Sequence, residues 1–280
     1  MKNPNYSGPK DDIHPENIDR YWLDNKWSLE PKLDGMWVQM TIGNTKHKFL
    51  SRSGIAPAPK YTKGLEDITM PMSPGSVIVG ELECGTDRAT KRYEETGYYA
   101  LHLFDVLDYM GQDMRDKAQS ERRAALEVLF NEIQFATMHI PGRIQIVPSF
   151  NNLFKHRYDW LVRNGGEGVV LKLKGAKYIS GKNESMVRCK DTATDDFVLM
   201  GVGKTDGGEL TGCWGKFNNE NVLQYVMRCQ PKDPSILTEE NFGKMVGEFK
   251  GWGKQLGGTL RHAQFIRVRK DKLAEECTIT

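Results

Sequence analysis

The stretch EPKLDGMW, residues 30–37, sets one lysine between two acids. Lys32 has Glu30 two residues before it and Asp34 two residues after it, and Gly35 follows. A lysine amine is a covalent nucleophile only without its proton, and its ordinary pKa of about 10.4 keeps it protonated at neutral pH. Carboxylates strengthen that preference unless a metal ion or other cations offset them. The motif therefore indicates a metal-bound phosphate beside Lys32, with Gly35 allowing close approach of the backbone to the ligand. A DG turn between two strands is the ordinary alternative.

Other residues suited to phosphate and metal follow next to strand-like segments. Arg52 in SRSG can bind a phosphate through two parallel hydrogen bonds. Glu81 in GELE lies at a strand end, and Glu167 in GGEGVVLK lies in a glycine-flanked turn. The remaining candidates are Phe104 and Asp105 at the end of the strand-like YALHLFDVL, Lys172 in the strand after the turn, and Arg188 and Lys190 on one face of VRCK. Each alone reads as an ordinary core or surface residue, and only the ordered set suggests a site.

A basic run lies near the end of the chain. The segment RHAQFIRVRKDK (261–272) holds five of the 12 Lys and Arg residues of 193–280, which also has 12 Asp and Glu. The net charge of the whole chain is only +2, so any nucleic-acid surface must be local. A short basic run is usually a solvated strand or tail, and this one is a candidate binding surface only beside other signals.

Residues 1–192 mix strands and helices without a regular alternation. The segment SERRAALEVLFNEI has apolar residues at helical spacing and begins at Ser120, which is predicted to cap it. The segment NNLFKHRYDWLVRNGG is a second predicted helix, ended by Gly165 and Gly166. Strands are predicted over 37–43, 76–84, 98–107, 144–150 and 168–173. The mixture predicts an α+β domain with substantial antiparallel sheet.

Residues 193–280 differ in character and predict a second domain. Short strands are expected over 197–203, 222–229 and 264–269, with a helix near 238–249 and glycine-rich turns between them. Such a segment suits a small β-barrel. A short link near KDTATDD is expected to join it to the first domain.

The composition predicts an ordinary cytoplasmic globular protein. Hydrophobic residues make up 39% and charged residues 27%, and the sequence shows neither a membrane-spanning run nor a signal peptide. The five cysteines are scattered without CxxC spacing, which favours reduced thiols and no zinc site.

Taken in order, the motifs EPKLDG, SRSG, GELE, LFDVL, EGVVLK, VRCK and FIRVRKDK resemble those of the small ATP-dependent DNA ligases, in the covalent nucleotidyltransferase superfamily. The resemblance runs from Glu30 to Lys272. It implies an α+β nucleotidyltransferase (adenylation) domain with antiparallel sheets over 1–192 and a C-terminal OB-fold β-barrel over 193–280.

The resemblance implies a role for each candidate residue. Lys32 is the implied nucleophile, which takes AMP from ATP as a phosphoramidate, and Asp34 lies near the ribose and the reacting ends. The other implied nucleotide contacts are Glu30 at the adenine edge, Phe104 stacked on adenine, Glu81 at the ribose, Lys172 within its motif, and Arg188 with Lys190 at the α-phosphate. Glu81 and Glu167 are the implied metal ligands, and Arg52 is implied to hold the 5′-phosphate of the nick. Arg269, Asp271 and Lys272 are implied to orient the leaving pyrophosphate.

The implied activity is the sealing of nicks in duplex DNA by a monomer that uses ATP and Mg²⁺, with Mn²⁺ able to substitute. The sequence starts 31 residues before Lys32. We therefore expect no large N-terminal DNA-binding domain and no domain for recognising NAD⁺, which favours ATP. An mRNA-capping guanylyltransferase, an RNA ligase and a DNA-binding protein with a decayed nucleotide site are the alternatives. Retention of Lys32, Glu81, Glu167 and Lys190 together argues against decay.

Three positions depart from the pattern of the family. Trp37 stands where an arginine is common, which puts in doubt the contacts near the 5′ end of the nick. Arg188 replaces a lysine and keeps the charge while changing its geometry. The segment VGELE lacks the aspartate that often precedes its glycine.

Overall fold

The chain divides into two compact units, Met1–Lys190 and Asp191–Thr280. The structure, a computed structural model, describes residues 3–66, 68, 73–254 and 258–279. The division falls two residues before the predicted domain boundary between 192 and 193. Within the described residues, no helix is long and apolar enough to cross a membrane.

The first unit contains strands and helices interleaved along the chain. Its strands are β1 (Ser7–Asp12), β2 (Trp27–Pro31), β3 (Gly35–Thr41), β4 (Lys48–Ser51), β5 (Val77–Glu83), β6 (Leu101–Tyr109), β7 (Gln112–Asp113), β8 (Ile144–Ile146), β9 (Gly168–Leu173) and β10 (Gly181–Lys190). Its helices are α1 (Ile18–Leu23), α2 (Pro59–Thr62), α3 (Asp87–Thr96), α4 (Gln119–Ala136) and α5 (Phe154–Arg163), with a 3₁₀ turn at Pro15–Asn17.

These strands form two sheets. One has the order β1-β10-β9-β2, and the other has the order β4-β3-β5-β6-β7, with β8 beside β6. The pairs β1/β10 and β6/β8 are parallel, and the other pairs are antiparallel. The predicted α+β class with substantial antiparallel sheet is therefore confirmed.

Helix α4 covers one face of the larger sheet. Its residues Leu126, Leu129 and Ile133 are fully buried and pack with β-strand residues such as Leu103 of β6. The predicted helix is confirmed, but the prediction that Ser120 caps it is wrong. The cap residue is Ala118, whose N–H donates to the Glu121 carboxylate at 2.9 Å.

The smaller sheet carries its own core. Phe154 and Tyr158 of α5 pack with Ile18 of α1 against Leu29 and Leu171. Helix α5 ends just before Gly165 and Gly166, as predicted. Gly165 has φ +79°, and its N–H donates to the Val162 carbonyl at 2.9 Å. An L side chain rarely adopts that conformation, so glycine suits the position.

The second unit is a five-stranded antiparallel sheet. Its strands are β11 (Ala193–Lys204), β12 (Leu210–Phe217), β13 (Leu223–Cys229), β14 (Val246–Lys254) and β15 (Leu260–Val268), in the order β13-β12-β11-β14-β15. Short 3₁₀ turns lie at Pro234–Ile236, Glu239–Asn241 and Ala274–Glu276. Among the described residues the backbone ladders leave this sheet open. Side-chain hydrogen bonds join its edges, one from Thr259 Oγ1 to the Val226 carbonyl at 3.4 Å.

The predicted helix in this segment is wrong. The helix near 238–249 is a 3₁₀ turn followed by β14, because Phe249 packs edge-on against Trp214, with ring centroids 4.8 Å apart. A side chain at Gly247 would clash with the same rings, so the glycine is needed there. The connection between β10 and β11 is residues 191–192, which lie within KDTATDD, where a short link was predicted.

The buried carboxylate of Glu83 connects α3 to the larger sheet through ion pairs. Glu83 at the end of β5 lies 2.5 Å from Arg88 and 3.0 Å from Arg92, both on α3, and 3.1 Å from His102 on β6. Burial acts to raise the pKa of Glu83. The hydrogen bonds and charges of His102 and Arg88 oppose it and lower the pKa to about 2.

Glu83→Gln should lower the free energy of unfolding by about 2 kcal/mol near neutral pH, because the buried side chain loses its charge-assisted hydrogen bonds with Arg88, Arg92 and His102. The folded pKa of about 2 lies below the ordinary 4.5, so the stabilisation is present above pH 4.5 and is lost as the pH falls toward 2. Urea unfolding of wild type and variant across this range should show their difference shrinking with acid. Glu95→Gln, which removes an exposed acid of α3, is the control. Equal stability of Glu83→Gln and wild type at neutral pH would contradict this account.

Candidate active site

Lys32 lies in the connection between β2 and β3. Its N–H donates to the Gly168 carbonyl at 2.9 Å, which fixes the connection against the start of β9. A side chain at Gly35 would place its Cβ 2.2 Å from the Leu82 carbonyl oxygen. Gly35 is thus needed for close packing of β3 on β5. Asp34 lies half-buried in the same connection.

The Lys32 amine is held by Glu167. Its Nζ lies 2.5 Å from Glu167 Oε2, and the other oxygen of the same carboxylate lies 3.6 Å from Lys190 Nζ. Glu167 is buried and immediately precedes β9, as predicted from its glycine-flanked motif. Lys32 remains partly open, with 21% of its side chain exposed. One buried carboxylate therefore bridges two lysines that are far apart in sequence.

A second acid lies close to this bridge. Burial and the charge of Glu167 raise the pKa of Glu81 to about 7, although Lys32 and the Gly35 N–H oppose the shift. Burial lowers the pKa of Lys190, and the charges of Lys32 and Arg188 lower it further while Glu167 opposes. The site thus brings acidic and basic side chains together where most of them are buried.

A separate contact set surrounds Glu30. Lys172 Nζ lies 2.6 Å from Glu30 Oε2, donates to the Phe104 carbonyl at 3.0 Å, and sits 4.8 Å from the centre of the Phe104 ring. Burial raises the pKa of Glu30, while Lys172 and Arg123 oppose the shift. Glu30 Oε1 is buried, and no donor among the described residues is within hydrogen-bond distance. Arg123 NH1 pairs with this oxygen at 3.7 Å, beyond hydrogen-bond distance.

Phe104 and Asp105 lie in the middle of β6, so their predicted place at a strand end is wrong. Their side chains point to opposite faces because successive residues of a strand alternate. Phe104 is half-buried beside Trp37, while Asp105 is buried and paired with Arg122 of α4 at 2.8 Å. The ion pair between Asp105 and Arg122 therefore holds α4 against the larger sheet.

Two of the predicted arginines contact the N-terminal segment. Arg52 follows β4 directly, as predicted, and its guanidinium lies 4.1 Å from the centre of the Tyr6 ring. Arg188 shares a face of β10 with Lys190, as predicted, and forms a salt bridge with Asp12 of β1. The hydrogen bond and charge of Asp12 raise the pKa of Arg188 against the effect of burial.

Trp37, the residue that replaces an arginine, is a core residue in this chain. Only 8% of it is exposed, and it packs with Val79 and Leu107. Its ring meets Tyr6 edge-on, with centroids 5.6 Å apart. Trp37 thus packs against the tyrosine that contacts Arg52.

The three C-terminal candidates gather around one acid of the second unit. Asp196 of β11 lies 3.2 Å from Arg269 and 2.8 Å from Lys272, and Arg269 also pairs with Asp271 at 2.9 Å. The hydrogen bond from Arg269 lowers the pKa of Asp271 to about 2. Two cations are thus held side by side.

The sequence reading missed Tyr6, Asp12, Arg123 and Asp196. Tyr6 and Asp12 lie in a polar N-terminal stretch that has no motif around it. Arg123 reads as the exposed face of a helix, and its NH1 lies 3.7 Å from Glu30 Oε1. Asp196 could have been identified, because TDDFVLMG is strand-like and extends the strand predicted over 197–203 toward the N-terminus.

The carboxylates near Lys32 suit a metal ion that keeps water and phosphate ligands better than one bound by protein ligands alone. Among the described residues, no group of three or more His, Cys, Asp or Glu side chains is placed to hold a metal ion. Mg²⁺ is commonly held by one or two carboxylates together with water and substrate phosphates. Glu81 and Glu167, close enough for one to raise the pKa of the other, fit that pattern.

The contacts around Lys32 and Glu30 lie within a region that matches a known family. The ATP dependent DNA ligase domain matches residues 15–190, well over half of the chain. The chain belongs to this family. A probable DNA ligase of Sorangium cellulosum is 26% identical over 275 residues, covering 89% of this chain and 48% of that protein. The multifunctional non-homologous end joining protein LigD of Pseudomonas aeruginosa is 29% identical over 195 residues, covering 65% of this chain and 22% of that protein.

Solved structures show the same fold for this ligase-family chain. A Lig E DNA ligase, described as binding DNA with a minimal scaffold, has a TM-score of 0.60 and 16% identity, over 94% of this chain and 99% of that one. The chain spans only about a fifth to about half of the curated relatives that it matches.

Proposed function

We propose that this chain is an ATP-dependent DNA ligase that seals nicks in duplex DNA through a lysyl-AMP and a DNA-adenylate. The observation that carries the proposal is the placement of Lys32 Nζ 2.5 Å from buried Glu167, with Lys190 on the other oxygen of that carboxylate. Family membership and the structural relatives support the same activity.

In the first step the Lys32 amine attacks the α-phosphorus of ATP, and pyrophosphate leaves as the new N–P bond forms. The amine must lose its proton first, because only the unprotonated amine is a nucleophile. A divalent cation held by Glu81 and Glu167 would neutralise phosphate charge and draw both carboxylates away from the lysine. Positioning and charge stabilisation supply most of the catalysis in such transfers.

The nucleotide contacts follow from the geometry. Glu30 Oε1, a buried acceptor with no donor from the described residues, suits the exocyclic amine of adenine. Phe104 is half-buried and offers a ring for stacking, and Lys172 fixes both Glu30 and Phe104. Arg188 and Lys190 lie on one strand face, where they can bind the α-phosphate, and Asp34 lies in the connection that bears the nucleophile.

The later steps act on DNA. AMP passes from Lys32 to the 5′-phosphate of the nick, which Arg52 would hold, and the 3′-hydroxyl then displaces AMP. The second unit has a groove whose lining includes Lys204, Arg228, Lys232 and Lys250. Such a basic groove suits the backbone of duplex DNA, so binding should weaken steeply with salt.

The domain roles belong to the same proposal. Residues 1–192 would form the nucleotidyltransferase domain, and 193–280 would form an OB-fold domain built on the five antiparallel strands. The chain would act as a monomer on nicked double-stranded DNA. Arg269, Asp271 and Lys272 would orient the leaving pyrophosphate, with Asp196 holding the two cations in place.

The test is sealing of a nicked duplex that carries a labelled 5′-phosphate, with Mg²⁺ and either ATP or GTP. The proposal expects sealing with ATP, none with GTP, and none when the nick ends in a 5′-hydroxyl. Labelling of the protein by GTP instead of ATP would favour a capping-type guanylyltransferase. Sealing of nicked RNA in strong preference to DNA would favour an RNA ligase.

Lys272→Ala and Arg269→Ala should each slow self-adenylation by about 100-fold, because the lost cation would stabilise the leaving pyrophosphate only in that step. Sealing of a nick that already carries 5′-AMP, measured without ATP, should change much less. Rates on the two substrates are compared for each variant.

Lys270→Ala is the matched control, since Lys270 is an exposed neighbour of the same charge. It should leave self-adenylation near the wild-type rate. Equal losses on both substrates for Lys272→Ala would assign this motif to DNA binding or folding instead.

A further inference from the structure

We propose that Tyr6 is a positioning residue that holds Arg52 ready for the 5′-phosphate of the nick. This inference rests on the proposed ligase function. Tyr6 lies outside the family match, which begins at residue 15, and the motifs read from the sequence did not include it.

The Tyr6 ring forms a platform under Arg52. The Arg52 guanidinium lies 4.1 Å from the ring centroid, and Trp37 packs edge-on against the same ring. Trp37 is opposite Glu81 in the register of β3 and β5, so these contacts connect Arg52 with the strand that bears a proposed metal ligand. A guanidinium stacked on an aromatic face keeps its N–H edge available for a phosphate.

The N-terminal segment is itself fixed at both ends of the platform. Asn3 is buried, and its N–H donates to the Arg52 carbonyl at 2.8 Å. On the far side, the Gly181 N–H donates to the Tyr6 carbonyl at 2.6 Å, and the Tyr178 hydroxyl donates to the Asn5 carbonyl at 2.5 Å. The backbone of Arg52 and the ring beneath its side chain are therefore held by the same short segment.

Arg52 needs such support because its other contacts are few. It is exposed, and no carboxylate among the described residues forms a salt bridge with it. A long exposed side chain loses rotamer entropy when it binds a phosphate. A stack that already restricts the guanidinium reduces that loss, so the gain appears only when the 5′-phosphate is engaged.

The experiment separates three reactions: self-adenylation with ATP, transfer of AMP from the adenylated protein to a 5′-phosphorylated nick in a single turnover, and sealing of a pre-adenylated nick. Tyr6→Leu should slow the second reaction by about threefold to tenfold, the range that a cation–π contact supplies. It should leave the first reaction near wild type. Tyr6→Trp keeps an aromatic platform and should restore the second reaction.

A double-mutant cycle gives the deciding readout. Tyr6→Leu should have no further effect on the second reaction in an Arg52→Ala background, because the residue acts through Arg52. Tyr21→Leu removes an aromatic that packs edge-on against Trp27, and it controls for general loss of stability. Thermal unfolding of each variant shows whether Tyr6→Leu folds, and Tyr6→Trp gives the comparison if it does not.

The outcomes distinguish this inference from the function beneath it. Additive losses in the double variant, equal slowing of all three reactions, or a wild-type rate for Tyr6→Leu would overturn the role of Tyr6. Failure of the wild-type protein to form an AMP adduct would overturn the proposed ligase function instead.

Discussion

Lys32→Arg should lose self-adenylation by about a thousandfold or more, as expected when a covalent nucleophile is removed. Arginine keeps the positive charge beside Glu167, but its guanidinium stays protonated and its charge is delocalised, so it cannot attack phosphorus. The measurement is the amount of protein-bound AMP formed with Mg²⁺ and ATP labelled on the α-phosphate. Lys32→Ala should give the same loss.

The arginine variant is the cleaner of the two. Lys32→Ala leaves the buried Glu167 with Lys190 as its remaining cation at 3.6 Å, so some loss of stability is expected. Lys177→Arg changes an exposed lysine of the same unit and should leave adduct formation unchanged. An adduct of normal intensity in a folded Lys32→Arg protein would remove Lys32 from its assigned role.

Glu167→Gln should slow both AMP transfers and the final sealing step by about 100-fold to 1000-fold. The amide keeps the size of the side chain while removing the charge that would hold a divalent cation and that now bridges two lysines. The three reactions are timed separately in single turnovers over a range of Mg²⁺ concentrations. Raised Mg²⁺ should recover part of the lost rate, since the defect lies partly in metal affinity.

Glu184→Gln is the matched control, because Glu184 is an exposed acid of β10 paired with Lys10. It should behave as wild type. A Glu167→Gln protein that is slow only in self-adenylation, with unchanged Mg²⁺ dependence, would indicate that Glu167 serves Lys32 alone and holds no metal.

Local pattern was enough to predict much of the first unit. The segment GVVLKL matches β9 over 168–173, and the helical spacing of Leu126, Leu129 and Ile133 places α4 correctly. These elements could be predicted because each has one clearly apolar face that must be buried. The second unit was harder, because Gly212 of β12 fell in a predicted turn and Gly247 of β14 in a predicted helix, although both glycines pack against the aromatic core.

The site was predicted as a set of residues but not as a set of contacts. The ordered motifs identified Lys32, Glu167 and Lys190, and in the fold both lysines pair with the Glu167 carboxylate. The supporting residues Tyr6 and Asp12 had no signal, because a lone aromatic or acid gains its meaning only from β1 lying beside β10. Partners that are close only in the folded chain cannot be read from spacing along it.

The central claim is that Lys32 carries AMP. The direct measurement is incubation of the wild-type protein with Mg²⁺ and ATP, followed by intact mass and peptide mass spectrometry under alkaline conditions that preserve a phosphoramidate. The account predicts a mass increase of one AMP, located on the peptide that contains Lys32 and released by acid or by excess pyrophosphate. An unmodified protein, or AMP attached to any other residue, would contradict it.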